Sequence, residues 1–301
     1  MILEPTVFIL GAGASKPYGF PTGIELKYKA LKTIEQNKED VFGELGYKTK
    51  LRDDFCEALR HSGRASVDAF LEHRTDFLDI GKLAIAASLI PLEEDIAIYG
   101  DAQIQNNSDH WYQFIFNKMN TSFEGFSQNN ISFITFNYDR SLEHYLFTCL
   151  KNGYGKTIKE SALIANQIKI IHLHGNLGYL PWQDNNTGNF SRPYSRDWSV
   201  DTIYSVASQI KIIHEDIAND PEFKLAHDKI RDASRVYFLG FGYDKTNLNR
   251  LLNGISLDNK TAMGTSLGFT QLEMDQITKT YPILLMVSPI INFFRNLAPL
   301  N

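Results

Sequence analysis

Four short stretches of this sequence hold residues able to bind or transform a ligand. They are Gly11-Ala-Gly-Ala-Ser15, Thr135-Phe-Asn-Tyr-Asp139, His172-Leu-His-Gly-Asn176 and Gly240-Phe-Gly-Tyr-Asp244. Gly11 and Gly13 let backbone N–H groups approach a phosphate, although the pair also suits a plain strand-to-helix turn. Neither standard phosphate loop is present. Lys16 stands where G-x-G-x-x-G needs its third glycine, and Ser15 precedes Lys16 where a Walker A loop requires glycine. Asn137 can donate and accept at once, which suits a ribose hydroxyl or a water. Asp139 is either a ligand contact or the cap of a following helix. His172 and His174 share a strand face by period two. His174 lies nearer the strand end and is the candidate general base, whereas His172 reads as a packed neighbour. Gly240 and Gly242 fit a ligand's close approach or a turn before a helix capped by Asp244.

Each stretch follows an expected strand. The apolar run 6–10, between Pro5 and Gly11, reads as a buried strand of a parallel sheet. Runs at 131–136, 168–173, 236–239 and 283–287 add four more. Thr22 with Glu25, and Thr270 with Glu273, have capping-box spacing, and the first starts a helix over 23–33. Residues 202–217 and 245–252 also read as helical. Residues 40–128 carry no strand pattern. There Val67, Phe70, Leu71, Arg74 and Phe77, then Trp111, Phe114, Ile115 and Met119, keep helical spacing, which predicts a helical insertion. The expected fold is α/β: one domain over 1–301, a Rossmann-like, doubly wound parallel sheet flanked by helices, with that insertion. Ligands of such sheets bind beyond the carboxyl ends of the strands. All four stretches should therefore meet on one rim. Residues 176–200 read as an ordered loop or small subdomain with no assignable role.

Composition excludes several classes. Of 301 residues 43% are hydrophobic and 22% charged, as in a soluble globular chain rather than a disordered one. The longest apolar runs fall short of the roughly 18 residues that span a bilayer, and no secretory signal is visible; a cytoplasmic location is expected. Thirty basic against 35 acidic residues give a net charge of −5 without a basic stripe, so no direct nucleic-acid or membrane binding is expected. The two cysteines, Cys56 and Cys149, are too few for a zinc ribbon or a disulfide framework. Without H-E-x-x-H, the two histidines are not expected to hold a metal.

In this order, Gly11-Ala-Gly-Ala-Ser15 with Gly19-Phe-Pro21, Thr135-Phe-Asn-Tyr-Asp139 and Leu173-His-Gly175 resemble the sirtuin-like NAD-binding family. Its members carry G-A-G-x-S…G-I-P, T-x-N-x-D and L-H-G in succession. The resemblance implies that Gly11, Ala12, Gly13 and Ser15 cradle the diphosphate and ribose of NAD. It implies that Asn137 positions a water or the nicotinamide ribose, with Asp139 supporting that loop, and that His174 draws on a ribose hydroxyl. The turn at Gly240 and Gly242 would face the adenosine ribose. Two departures count against peptide deacetylation. The four zinc-binding cysteines that usually follow L-H-G are missing, so no zinc is expected. The family's G-I-P-D-F-R reads Gly19-Phe-Pro-Thr-Gly-Ile24, without its Asp and Arg.

The pattern looks more like bacterial antiphage-defence proteins that hydrolyse NAD as a substrate, depleting it in abortive infection. A homo-oligomer and a separate regulatory partner are implied, a HerA-like ATPase ahead of an Argonaute-like protein. The helical insertion is either an assembly surface or a roof over the NAD pocket. A non-hydrolytic NAD or ADP-ribose sensor, a sirtuin-like deacylase or ADP-ribosyltransferase, and a nicotinamide-dependent oxidoreductase are the rival readings.

Overall fold

Strand β1 (Thr6–Leu10) is buried at every position and pairs in parallel on both sides, which explains its nearly unbroken apolar run. In the computed structural model, which describes residues 1–36, 41–100, 109–183, 190–212, 220–298 and 300, five further strands join it. They are β2 (Ile131–Thr135), β3 (Lys169–His172), β4 (Arg235–Leu239), β5 (Thr261–Thr265) and β6 (Leu284–Met286). Every pairing is parallel and the order is β3-β2-β1-β4-β5-β6. The chain builds outward from β1 to β3, then crosses back to lay β4 on β1's other side. That reversal opens a crevice above the carboxyl ends of β1 and β4.

Alternation along β1 divides the core between the two faces of the sheet. Val7 and Ile9 join Ile134, Val236 and Phe238 on one face; Phe8 and Leu10 join Phe133, Tyr237 and Leu239 on the other. Phe8 stacks between Phe133 and Tyr237, with ring centroids 5.3 and 5.6 Å away. The capping boxes at Thr22 and Thr270 form and begin the helices Gly23–Glu35 and Gln271–Thr280. Asp244 caps Lys245–Leu251 by accepting the Asn247 N–H at 3.0 Å.

Three expectations need correction. The sheet has six strands rather than five, because β5 (Thr-Ala-Met-Gly-Thr) has no apolar run to reveal it. A Cβ at its Gly264 would lie 2.0 Å from the Tyr243 hydroxyl, so packing selects glycine there. The expected helix over 202–217 is Val200–Gln209; Ile210 turns extended to bridge Gly175, and residues 213–217 lie outside the described ones. The third strand ends at His172, so the shared strand face does not extend to His174.

Between the helix Gly23–Glu35 and β2 the described residues form helices and 3-10 turns only; residues 40 and 101–108 of the expected insertion lie outside them. These helices join the core on the Phe8 face of the sheet. Trp111, at the start of the helix Trp111–Lys118, is fully buried and donates its indole N–H to the Ala14 carbonyl at 2.8 Å. Among the described residues no helix is long and apolar enough to cross a membrane.

The stretch 176–200, described except for 184–189, is fastened by one buried side chain. Arg140 donates to the carbonyls of Gly178, Arg192 and Pro193 at 2.9, 3.0 and 3.1 Å. Its Nε meets Glu93 at 2.8 Å, and the other Glu93 oxygen is shared with Arg192. All three side chains are buried, and burial followed by the charge of Arg140 and Glu93's counteracting attraction leaves the Arg192 guanidinium below its usual range. Removing one member of a buried ionic cluster strands the others. Arg140→Leu is expected to cost roughly 3–5 kcal/mol in urea denaturation. A loss under about 1 kcal/mol, the scale of an exposed ion pair, would refute this view of the cluster.

Candidate active site

The four stretches meet above the carboxyl ends of β1 to β4. At the crevice the backbones of the first and fourth nearly touch. Gly11 N–H donates to the Leu239 carbonyl at 3.0 Å and Gly13 N–H to the Gly240 carbonyl at 2.9 Å. A Cβ on Gly11 would lie 2.6 Å from the Gly240 oxygen, and one on Gly240 would lie 2.1 Å from the Ala14 nitrogen. Gly240 also has φ +54°, a conformation that favours glycine. These three glycines are therefore required by one another. The Gly11 and Gly13 N–H groups are thus both engaged by carbonyls of the protein. Gly242 differs: it is exposed, and a Cβ there would meet nothing within 4 Å.

Asn137 ties the second stretch to the first. Its Nδ2 donates to the Gly11 carbonyl at 3.0 Å and to the Ser15 hydroxyl at 2.8 Å. A carbonyl can only accept, so the amide nitrogen must face it. Asn137 thus has Oδ1 left for a ligand, and it offers acceptance alone rather than donation and acceptance. The Ser15 hydroxyl in turn hydrogen-bonds Asp139. Asp139 also takes the Ser141 hydroxyl and, at 3.2 Å, the Ser141 N–H at the start of the helix Ser141–Gly153. Burial raises the Asp139 carboxyl above the usual carboxylate range. Asp139 thus holds Ser141 from just ahead of the N-cap position, which Arg140 occupies, and Ser15 links it to Asn137.

The two histidines part company. His172 donates through Nδ1 to the Asn137 carbonyl at 2.9 Å, and its Nε2 lies 2.5 Å from Glu143. Burial alone would lower its pKa, but the Glu143 charge and hydrogen bonds to Glu143 and Asn137 outweigh it and raise it. Both ring nitrogens have acceptors, so the ring fits as an imidazolium. It clamps the peptide that carries Asn137.

His174 is buried in the turn after β3. Its Nδ1 lies 3.7 Å from Asp68 Oδ1, and its Nε2 has no partner among the described residues. Gly175 follows with φ +73°, and a Cβ there would lie 1.9 Å from the Gln209 carbonyl oxygen, so this turn admits glycine alone.

Asp68 comes from the insertion and was not legible in the sequence. It sits on the helix Val67–Leu71, whose N-cap Ser66 accepts the Ala69 N–H at 3.1 Å. Its carboxylate also accepts the Tyr138 hydroxyl. Burial would push the Asp68 carboxyl up, but the neighbouring His174 ring and the hydrogen bond from Tyr138 hold it below the usual range. Thr265 is a second unforeseen contributor: from β5, its hydroxyl accepts the Gly240 N–H at 2.9 Å.

Two cavities meet at Ala12 and Gly23. One, of about 360 Å³, lies over β1, β4 and β5 against Gly13, Gly240, Gly242 and Thr265. The other, of about 70 Å³, is walled by Ser15, Asp68, Phe136, Asn137, Tyr138 and Asp139. His174 stands behind that wall, its ring 5.5 Å from Phe136 and 6.0 Å from Tyr138. A larger groove of about 900 Å³ runs past Tyr145, Phe147 and Trp182, but it holds no residue of the four stretches. Among the described residues no three His, Cys, Asp or Glu side chains gather as a metal site.

No family model matches the chain, and no curated protein matches it significantly.

The His172–Glu143 clamp has a pH signature. A histidine whose folded pKa is raised contributes stability that is complete below its unfolded pKa, about 6.5, and is lost as pH rises through the folded value. The stability advantage over His172→Gln should therefore shrink as pH rises above about 6.5. Chemical denaturation of both proteins from about pH 5 to 9 checks this. An advantage that does not change with pH would refute the charged pair.

Proposed function

We propose that this chain is a NAD+ hydrolase, cleaving the bond between nicotinamide and ribose to give nicotinamide and ADP-ribose. One observation carries the reading: a cavity at the β1–β4 crevice, where doubly wound sheets take dinucleotides, shares Ala12 and Gly23 with a second one beside Asn137 at the ends of β1 and β2. The larger cavity, against Gly240 and Gly242, suits the adenosine half. The smaller one, beside Asn137, suits the reacting end. Its 70 Å³ is room for about two waters at ~30 Å³ each, so the nicotinamide ring must displace part of the wall. The order of the G-A-G-A-S, T-F-N-Y-D and L-H-G stretches adds the resemblance to sirtuin-like proteins.

Cleavage of an N-glycosidic bond passes through an oxocarbenium-like ribose. Nicotinamide leaves from a cationic pyridinium as a neutral molecule, so no strong general acid is needed. With its Nδ2 hydrogens engaged, Asn137 would accept a hydrogen bond from the attacking water through Oδ1 and turn a water lone pair toward the anomeric carbon. His174, with Nε2 unpartnered, would accept a proton from the ribose hydroxyls. Water supplies the hydroxyl of ADP-ribose, and one proton is released.

Uncontrolled hydrolysis of NAD would kill the host. The resemblance to defence proteins therefore extends the proposal to a gated, cytoplasmic activity, in a homo-oligomer governed by a HerA-like ATPase. The test is to incubate the purified chain with NAD+, alone and with such a partner from a neighbouring gene, and to quantify both products by chromatography. Asn137→Ala and His174→Ala should each lower kcat by roughly 10²-fold or more. NAD binding without turnover under every condition would favour the sensor reading and remove the mechanism.

A further inference from the structure

We infer that Asp68 is the positioning residue of His174, holding its ring as the Nδ1–H tautomer so that Nε2 is free to take a proton from a ligand hydroxyl. The inference deepens the proposed hydrolase and rests on it for the identity of that hydroxyl, a ribose hydroxyl. Its geometric basis is independent.

A buried imidazole nitrogen without a partner is costly, because burial removes the water that would have satisfied it. His174 carries such an atom, Nε2, while its other nitrogen faces a carboxylate. A carboxylate rewards a hydrogen on the nitrogen facing it. In the neutral ring that places the lone pair on Nε2, making the unpartnered atom an acceptor. Its missing partner is then a donor, and a hydroxyl is the donor that a ribose brings. At 3.7 Å the Nδ1–Oδ1 separation exceeds a hydrogen bond, and such contacts commonly tighten when the substrate binds.

The carboxylate is itself held. The Tyr138 hydroxyl donates to Asp68 Oδ1, the same oxygen that faces His174. Tyr138 lies between Asn137 and Asp139, so one segment supplies the amide for the water and the phenol that steadies the carboxylate. The Ser66 cap fixes the helix from which Asp68 projects. Another carboxylate, Glu72, ends the same helical turn, but it is engaged by Arg250 at 2.8 Å. The insertion therefore supplies the group that decides which nitrogen of His174 is basic.

The experiment reads the tautomer directly, in the full-length chain labelled with 15N-histidine. Long-range 1H–15N spectra are recorded for the native protein, Asp68→Asn and Tyr138→Phe, with His174→Gln assigning the resonance. Native His174 should show a protonated Nδ1 and a bare Nε2 when neutral. Asp68→Asn should shift the ring toward Nε2–H and lower kcat by roughly 10²-fold, with KM changed less than about threefold, as for a lost general base. Tyr138→Phe should move both readouts in the same direction by less.

Native His174 found as Nε2–H overturns the inference, even if Asp68→Asn does not fold. So does a folded Asp68→Asn protein with an unchanged tautomer. The expected tautomers in a chain that never hydrolyses NAD+ would uphold the Asp68 assignment and refute the hydrolase.

Discussion

The passage of Gly11 and Gly13 against Gly240 is the contact on which the rest of the site depends. Parallel strands β1 and β4 are neighbours, but the chain leaves them toward different helices, and the two exits must pass through each other's space. Glycine at all three positions lets backbone meet backbone, with Gly13 N–H on the Gly240 carbonyl. From that junction the order of contacts runs outward. The Gly11 carbonyl takes Asn137, Asn137 holds Ser15, and Ser15 reaches Asp139 at the head of the next helix. On the other side, Gly240 is held by Thr265. A side chain at the junction would displace the amide proposed to face the water.

The second constraint is electrostatic. Arg140 directly follows Asp139, and its guanidinium is buried against Glu93 of the insertion and four carbonyls of the segment that follows His174. One residue thus fastens the Asn137 segment, the insertion and the segment after β3 to one another. Such a cluster contributes less through net attraction than through the cost of any arrangement that leaves one charge unpaired. Asp68 also comes from the insertion, and it likewise belongs to the site's fixed geometry.

Some of this was legible in the sequence because it is local. β1, β2 and β4 announce themselves as apolar runs ended by unusual polar or glycine residues, and the capping boxes at Thr22 and Thr270 are three-residue patterns. β5 was hidden because Thr261 and Gly264 break its apolar character; what selects Gly264 is the distant Tyr243 ring. Asp68 reads as one more acidic residue in a helix's first turn. What sets it apart is His174, brought near it only by the folded chain. The glycines were legible as positions of close approach, but not whether a phosphate or another backbone did the approaching. Gly11, Gly13 and Gly240 meet backbone, and Gly242 alone is left open.

The sheet order also bears on how the chain comes together as it is made. β1 lies at the centre, with Thr6 beside Ile131 on one edge and beside Arg235 on the other. Its five residues, four of them apolar, leave the ribosome long before either neighbour exists. Until then both rows of its backbone donors and acceptors are unpaired, and such a strand is open to pairing with another chain. Closing loops of this length is slow compared with forming local helices. The helices encoded between β1 and β2 are the first material available to cover it, and they pack on the Phe8 face. Besides delivering Asp68, the insertion is thus placed to shelter the nascent central strand until the sheet can close around it.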